Sequence, residues 1–172
     1  MITVGPVLFI IGLLMSLLAV AMGLPAIADL ATGNPDWQVF AGSAAVSLFV
    51  GVSLMLTTRS TSMTNLNLRQ AFLLTTMSWV AVAAVGALPF AFSELEISVA
   101  DAFFESMSGI TTTGSTIIVG LDNAPPGILL WRALLQWLGG VGIIVMAMAM
   151  LPILSVGGMQ LFRTEAFDTP DK

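Results

Sequence analysis

The clearest chemistry in this sequence of 172 residues lies between Ile110 and Ile117. Thr111-Thr112-Thr113-Gly114-Ser115-Thr116 is an unbroken run of small residues, all but Gly114 carrying a hydroxyl. A dehydrated alkali cation needs several carbonyl oxygens in place of its water. Carbonyls can stack toward one axis only where the backbone leaves both helix and strand, and Gly114 supplies the freedom for that. Thr and Ser hydroxyls add oxygens or hold the backbone from behind. Thr112, Thr113, Gly114 and Ser115 are therefore candidate cation ligands. The same residues also read as a Thr-rich helix end closed by Gly114.

Two further residues carry charge where charge is costly. Glu105 precedes the hydroxyl run by two helical turns in an apolar stretch, and Arg132 is the single base on its side of the chain. A Glu105–Arg132 ion pair would let both sit in a poorly solvated place. The competing reading leaves Glu105 unpaired and facing water. Other chemistry is missing. The chain has no Cys, His or Tyr, so thiolate catalysis, disulfides and the commonest general base and metal ligand are excluded. No nucleophile–base pair is visible, which argues against an enzyme, and nothing calls for an organic cofactor. Five basic residues against ten acidic ones give a net charge of −5, which excludes nucleic acid as a partner.

The elements that position these residues follow from composition. Hydrophobic residues make up 57% of the chain and charged residues 9%, against about 25% charged in a soluble domain; the mean hydropathy is +0.99. Such a chain belongs in a lipid bilayer. The charges leave four uncharged runs, 1–28, 37–58, 70–93 and 133–162. Each exceeds the roughly 20 helical residues that cross a bilayer, and backbone in lipid must bond to itself, so each is expected as a helix. The first run lacks a positive start and is too long for a cleaved leader, despite Ala26-Ile27-Ala28. Pro25 should end or bend it, with a turn over Ala31–Asp36. Trp37 and Trp131 are expected at membrane interfaces.

The segment from Glu94 to Arg132 is too long for a hairpin and too apolar for an exposed loop. Ser98 and Asp101 have the spacing of a capping box, predicting a helix over Val99–Ile110. At about 18 Å it cannot cross. A short descending helix, the hydroxyl run and an extended return through Ile117-Ile118-Val119-Gly120 form a re-entrant loop. The negative C-terminal end of that helix would favour a cation. The expected fold is an all-α membrane protein with four transmembrane helices, one re-entrant pore helix and an extended filter loop. Its parts are an N-terminal transmembrane hairpin (1–58), a cytoplasmic loop (59–69), a helix–pore loop–helix unit (70–162, filter 111–116) and a cytoplasmic tail (163–172).

Arg59, Arg69, Arg163 and Lys172 put loop 59–69, the tail and both termini in the cytoplasm by the positive-inside rule, in a multi-pass protein of the cell (inner or plasma) membrane. The outer side then holds Asp29, Asp36, Glu94, Glu96, Asp101, Glu105 and Asp122 against Arg132 alone. That set reads either as ordinary solvated acids or as a negative vestibule concentrating cations. The glycines at 139, 140, 142, 157 and 158 permit close helix packing or a bend, and Pro152 can kink the same helix.

The stretch Asp101-Ala102-Phe103-Phe104-Glu105-Ser106-Met107-Ser108-Gly109-Ile110-Thr111-Thr112-Thr113-Gly114-Ser115-Thr116 resembles the first pore loop of the TrkH/KtrB superfamily of potassium transporters. Leu130-Trp131-Arg132 through Ile143-Ile144-Val145 resembles the second helix of that unit, and Gly157-Gly158-Met159-Gln160-Leu161-Phe162-Arg163 its cytoplasmic end. The first two helices resemble the extra N-terminal hairpin of the TrkH branch. The resemblance implies potassium ion as the transported species and carries the filter positions onto Thr112, Thr113, Gly114 and Ser115. In that family four such units in one chain surround the ion path, whereas this sequence holds one. It therefore implies either several copies, a homotetramer being the simplest ring, or a non-conducting subunit or fragment completed by other pore units. The family's gating loop and its arginine below the filter belong to later units and find no counterpart here. A cytoplasmic nucleotide-binding regulatory ring is an implied partner, though the tail offers it little surface.

Overall fold

The computed structural model describes residues 4–59 and 68–165, with side chains described up to residue 148 except that of residue 68. Most of the expected cytoplasmic loop and tail, and the side chains of Pro152, Met159 and Arg163, lie outside the described residues. The elements are α1 (Gly5–Ala21), α2 (Gly23–Thr32), α3 (Trp37–Thr58), α4 (Leu68–Gly86), α5 (Leu88–Phe92), α6 (Val99–Ile110), a single 3-10 turn (Leu121–Asn123) and α7 (Pro126–Glu165). Among the described residues there is no strand. Packing divides the chain after Gly140, into units of residues 1–140 and 141–172. The side-chain contacts described below lie in the first unit.

Among the described residues, four stretches are long and apolar enough to cross a membrane: Gly5–Thr32, Trp37–Thr58, Arg69–Phe92 and Pro126–Met148. Two are broken a few residues ahead of a proline. Proline lacks a donor and its ring collides with the carbonyl four residues back. Pro25 therefore ends α1 at Ala21, four residues earlier, and lies in the first turn of α2. Pro89 interrupts its span in the same way, between α4 and α5. The first span runs past the expected turn at Ala31 and closes at Gly33, whose φ of 75° is the left-handed C-cap that glycine adopts freely. α7 starts at Pro126, two turns before the uncharged run at Ala133, because a proline at N1 loses no bond.

The helices α1 and α3 pack as an antiparallel pair, α4 lies against α1, and α6 lies against α4 and α5. Met22, Phe40, Phe90, Ile128, Trp131 and Leu135 are fully buried between these elements. Trp131 is therefore a core residue and not the interfacial aromatic the sequence suggests. Its indole N–H donates to the carbonyl of Gly86, the last residue of α4, at 2.9 Å, and its ring meets Phe40 edge-on with centroids 6.3 Å apart. A buried indole needs such an acceptor.

Candidate functional site

The capping box sets where α6 begins. Ser98 Oγ accepts from the Asp101 backbone N–H at 3.2 Å and donates to Asp101 Oδ2 at 2.7 Å. The other end of α6 is pressed against α7. A Cβ on Gly139 would run into the backbone carbonyl of Ile110, and one on Gly109 would stand 3.1 Å from Leu135 Cβ. Only glycine at 139 permits this approach.

Beyond Ile110 the chain turns its donors backward. The N–H of Thr112 bonds to Gly109 O at 2.9 Å, and those of Thr113 and Gly114 share Ser108 O at 3.0 and 3.3 Å. Every peptide among the described residues is trans, so each N–H points opposite to the carbonyl of the preceding residue. The carbonyls of Thr111, Thr112 and Thr113 are thus directed away from α6. Alternating handedness produces this: Thr112 has φ 59° and Gly114 φ 77°, while Thr113 between them stays negative. Gly114 adopts this without penalty. Thr112, a β-branched residue, does so at a cost of about 1–2 kcal/mol, a strain of the sort that persists where the surroundings over-determine it. Residues 112–117 are exposed.

The return limb is held by side chains of α6. Ser108 Oγ donates to the carbonyl of Ser115 at 2.6 Å. Glu105, fully buried, accepts at Oε2 from Thr116 Oγ1 at 3.0 Å and from the Ile117 N–H at 3.1 Å. Its Oε1 accepts from Nε of Arg132 on α7. Thr116 Oγ1 accepts in turn from the Ile118 N–H at 3.1 Å. Thr111 Oγ1 donates to Met107 O at 2.7 Å and lies 2.9 Å from Thr113 Oγ1.

The structure thus brings Glu105 and Arg132 together, and gathers Thr112, Thr113 and Gly114 over the end of α6. It sets Ser115 between the two groups with its carbonyl turned to the helix. Sequence reasoning passed over Ser108. The available signal was its position three residues after Glu105, on the same helix face.

Of the seven acids expected on the outer side, three do not face a vestibule. Glu105 is one; the others are Asp29 and Asp36, 0% and 2% exposed. Asp29 Oδ1 accepts from the Gly127 N–H at 2.6 Å, a carboxylate on an orphan donor of the first turn of α7. Asp36 lies just before α3. Burial raises its pKa above the ordinary 3.8, the Glu94 backbone N–H works against this, and repulsion from Glu94 and Asp29 adds to it. Glu94, Glu96 and Asp122 remain exposed.

Residues 36–169 match the family model of TrkH, described as a cation transport protein. The chain belongs to the TrkH family. Among TrkH-family relatives, the Trk system potassium uptake protein TrkI of Halomonas elongata is 41% identical, over 98% of this chain and 34% of its own length. The Trk system potassium uptake protein TrkH of Escherichia coli K12 is 46% identical over 91% of this chain and 32% of its own. The crystal structure of the potassium transporter TrkH from Vibrio parahaemolyticus matches with a TM-score of 0.85 at 41% identity, covering 91% of this chain and 34% of that one. This chain spans about a third of the length of these TrkH-family relatives. Membership makes it an all-α membrane protein from a transporter family and not an enzyme.

Proposed function

We propose that this chain builds one wall of a potassium-selective path across the cell membrane, with Thr112, Thr113, Gly114 and Ser115 as filter residues. One observation carries the reading: three successive peptides turn their donors onto α6 and their carbonyls outward, in an exposed loop at the end of a helix too short to cross. An outward row of carbonyls, with the negative end of α6 behind it, is suited to a dehydrated cation. The named relatives are potassium uptake proteins, which supports potassium as that cation. The arginines of loop 59–69 favour a cytoplasmic placement of both termini. A cysteine replacing Asn34 would then react with an impermeant reagent from outside only, in a chain with no native Cys.

One loop forms only one side of an axis, so the ring needs further loops. Four copies around a four-fold axis would supply them. A second reading is favoured by the relatives' threefold greater length: other pore units complete the ring. A nucleotide-binding ring, if present, would dock on the cytoplasmic side. The deciding measurement is the mass of the detergent-extracted particle, paired with rubidium or potassium flux into liposomes. A tetrameric particle with selective flux supports the symmetric ring. A monomer or dimer carrying selective flux overturns it, and a particle of any size without flux leaves the second reading.

A further inference from the structure

The proposed filter has a row of carbonyls and something must fix their spacing, since selectivity among alkali cations depends on where the oxygens stand and how freely they move. The descending part is fixed by backbone bonds that any sequence could make. The ascending part has no such bonds to α6. It is held by two side chains one turn apart, Ser108 at the Ser115 carbonyl and Glu105 at Thr116 and Ile117. We infer that Ser108 and Glu105 are positioning residues that set ion selectivity from behind the filter, Ser108 through its hydroxyl and Glu105 through Thr116. This rests on the filter reading above.

The geometry is specific to these two side chains. Ser108 is 5% exposed and binds the loop at both ends: its carbonyl takes the donors of Thr113 and Gly114, and its hydroxyl takes the acceptor of Ser115. The filter residues are thus stretched between two groups of one residue. Removing the hydroxyl frees the Ser115 carbonyl, so that the chain has no bond to α6 between the Gly114 N–H and Thr116. Glu105 is already held by Arg132, so it offers Thr116 and Ile117 a fixed and not a swinging acceptor. The polar chain from Arg132 to Ile118 runs through four residues, all bonded in sequence.

The test uses the full protein in liposomes, with the potassium-to-sodium flux ratio as the readout and the amount of inserted protein as control. Ser108→Ala removes the hydroxyl without stranding a charge, and Thr116→Val removes one of the two bonds to Glu105 at an exposed site, leaving the Ile117 N–H bond and the Glu105–Arg132 pair in place. Each should lower the ratio by about tenfold, the scale of one lost hydrogen bond. Ser108→Thr, which restores the donor, should recover the parent ratio. A role in folding alone would reduce inserted protein and leave the ratio unchanged. Unchanged ratios in both Ser108→Ala and Thr116→Val, against a selective parent, overturn the inference and leave the filter reading standing. A parent that carries potassium and sodium equally overturns both.

Discussion

The α1–α3 pair and the α6 loop solve the same problem in opposite ways. In the helix pair, contact comes from missing side chains. A Cβ on Gly12 would stand 2.6 Å from the Gly51 carbonyl, and one on Gly51 would stand 2.5 Å from Ser16 Oγ. The hydroxyls there mostly serve their own helix, Ser16 to Gly12 O at 2.8 Å and Ser47 to Ser43 O at 2.6 Å. In the α6 loop, side chains reach partners 7 to 27 residues away. The cause is the backbone. A helix in lipid has already paired its own donors and acceptors, so two helices need only fit. A loop that leaves the helix must find partners for the groups it frees, and here α6 and α7 take its donors and its return limb while the carbonyls of Thr111, Thr112 and Thr113 stay outward.

Breaking the polar network should have the largest effect. Glu105→Gln and Arg132→Gln should each destabilise the protein by about 3–5 kcal/mol, because each leaves a poorly solvated group uncompensated. Thermal unfolding in detergent would read this, and the double variant should lose less than the sum of the two. Strictly additive losses would show that the pair is not coupled. Gly139→Ala and Gly12→Ala compare the two regions directly. Both overpack a backbone contact and should cost about 1–3 kcal/mol. Gly139→Ala pushes on the end of α6 and should also lower potassium selectivity, whereas Gly12→Ala should change stability alone. Equal loss of selectivity in both would erase the distinction between the regions. Gly114→Ser introduces a side chain at positive φ for about 1–2 kcal/mol. It should impair potassium over sodium discrimination in a flux assay, with insertion intact.

The smallest effect belongs to Asp36, whose carboxyl sits outside both the pair and the loop. With its folded-state pKa raised above 3.8, the folded protein binds this proton more tightly than the unfolded chain. Its contribution is therefore full below pH 3.8 and is lost as pH rises through the raised value. Asp36→Asn should cancel that slope, so its stability relative to the parent improves from acid to neutral pH. Melting curves across that range would check it, and a relative stability that worsens with rising pH would contradict the sign.

Much of this architecture was legible, for reasons that differ by element. The four spans stand out because lipid excludes charge, and the gaps between charged residues mark them. The Ser98–Asp101 spacing predicted α6 over Val99–Ile110, and the helix occupies those residues. Local signals of that kind carry over into structure because their partners lie within one turn. The helix breaks at Met22 and Ala87 were also readable in principle, three residues before Pro25 and two before Pro89. Long-range pairings were not. Nothing around Asp29 announces Gly127, and Trp131 looks interfacial until Gly86 and Phe40 are seen beside it. The positive φ of Thr112 runs against the preference of its residue type, so only the surrounding bonds to Gly109 and Ser108 could reveal it.

The bond from Asp29 to Gly127 joins residues 98 positions apart, which has a consequence in time. A ribosome adds about 5–20 residues per second, so Asp29 exists for roughly 5–20 s before the amide that meets it has been made. Throughout that interval a carboxylate destined for complete burial has to stay wet. A chain stalled before Pro126 would therefore display Asp29 without the Gly127 amide that meets it in the finished fold.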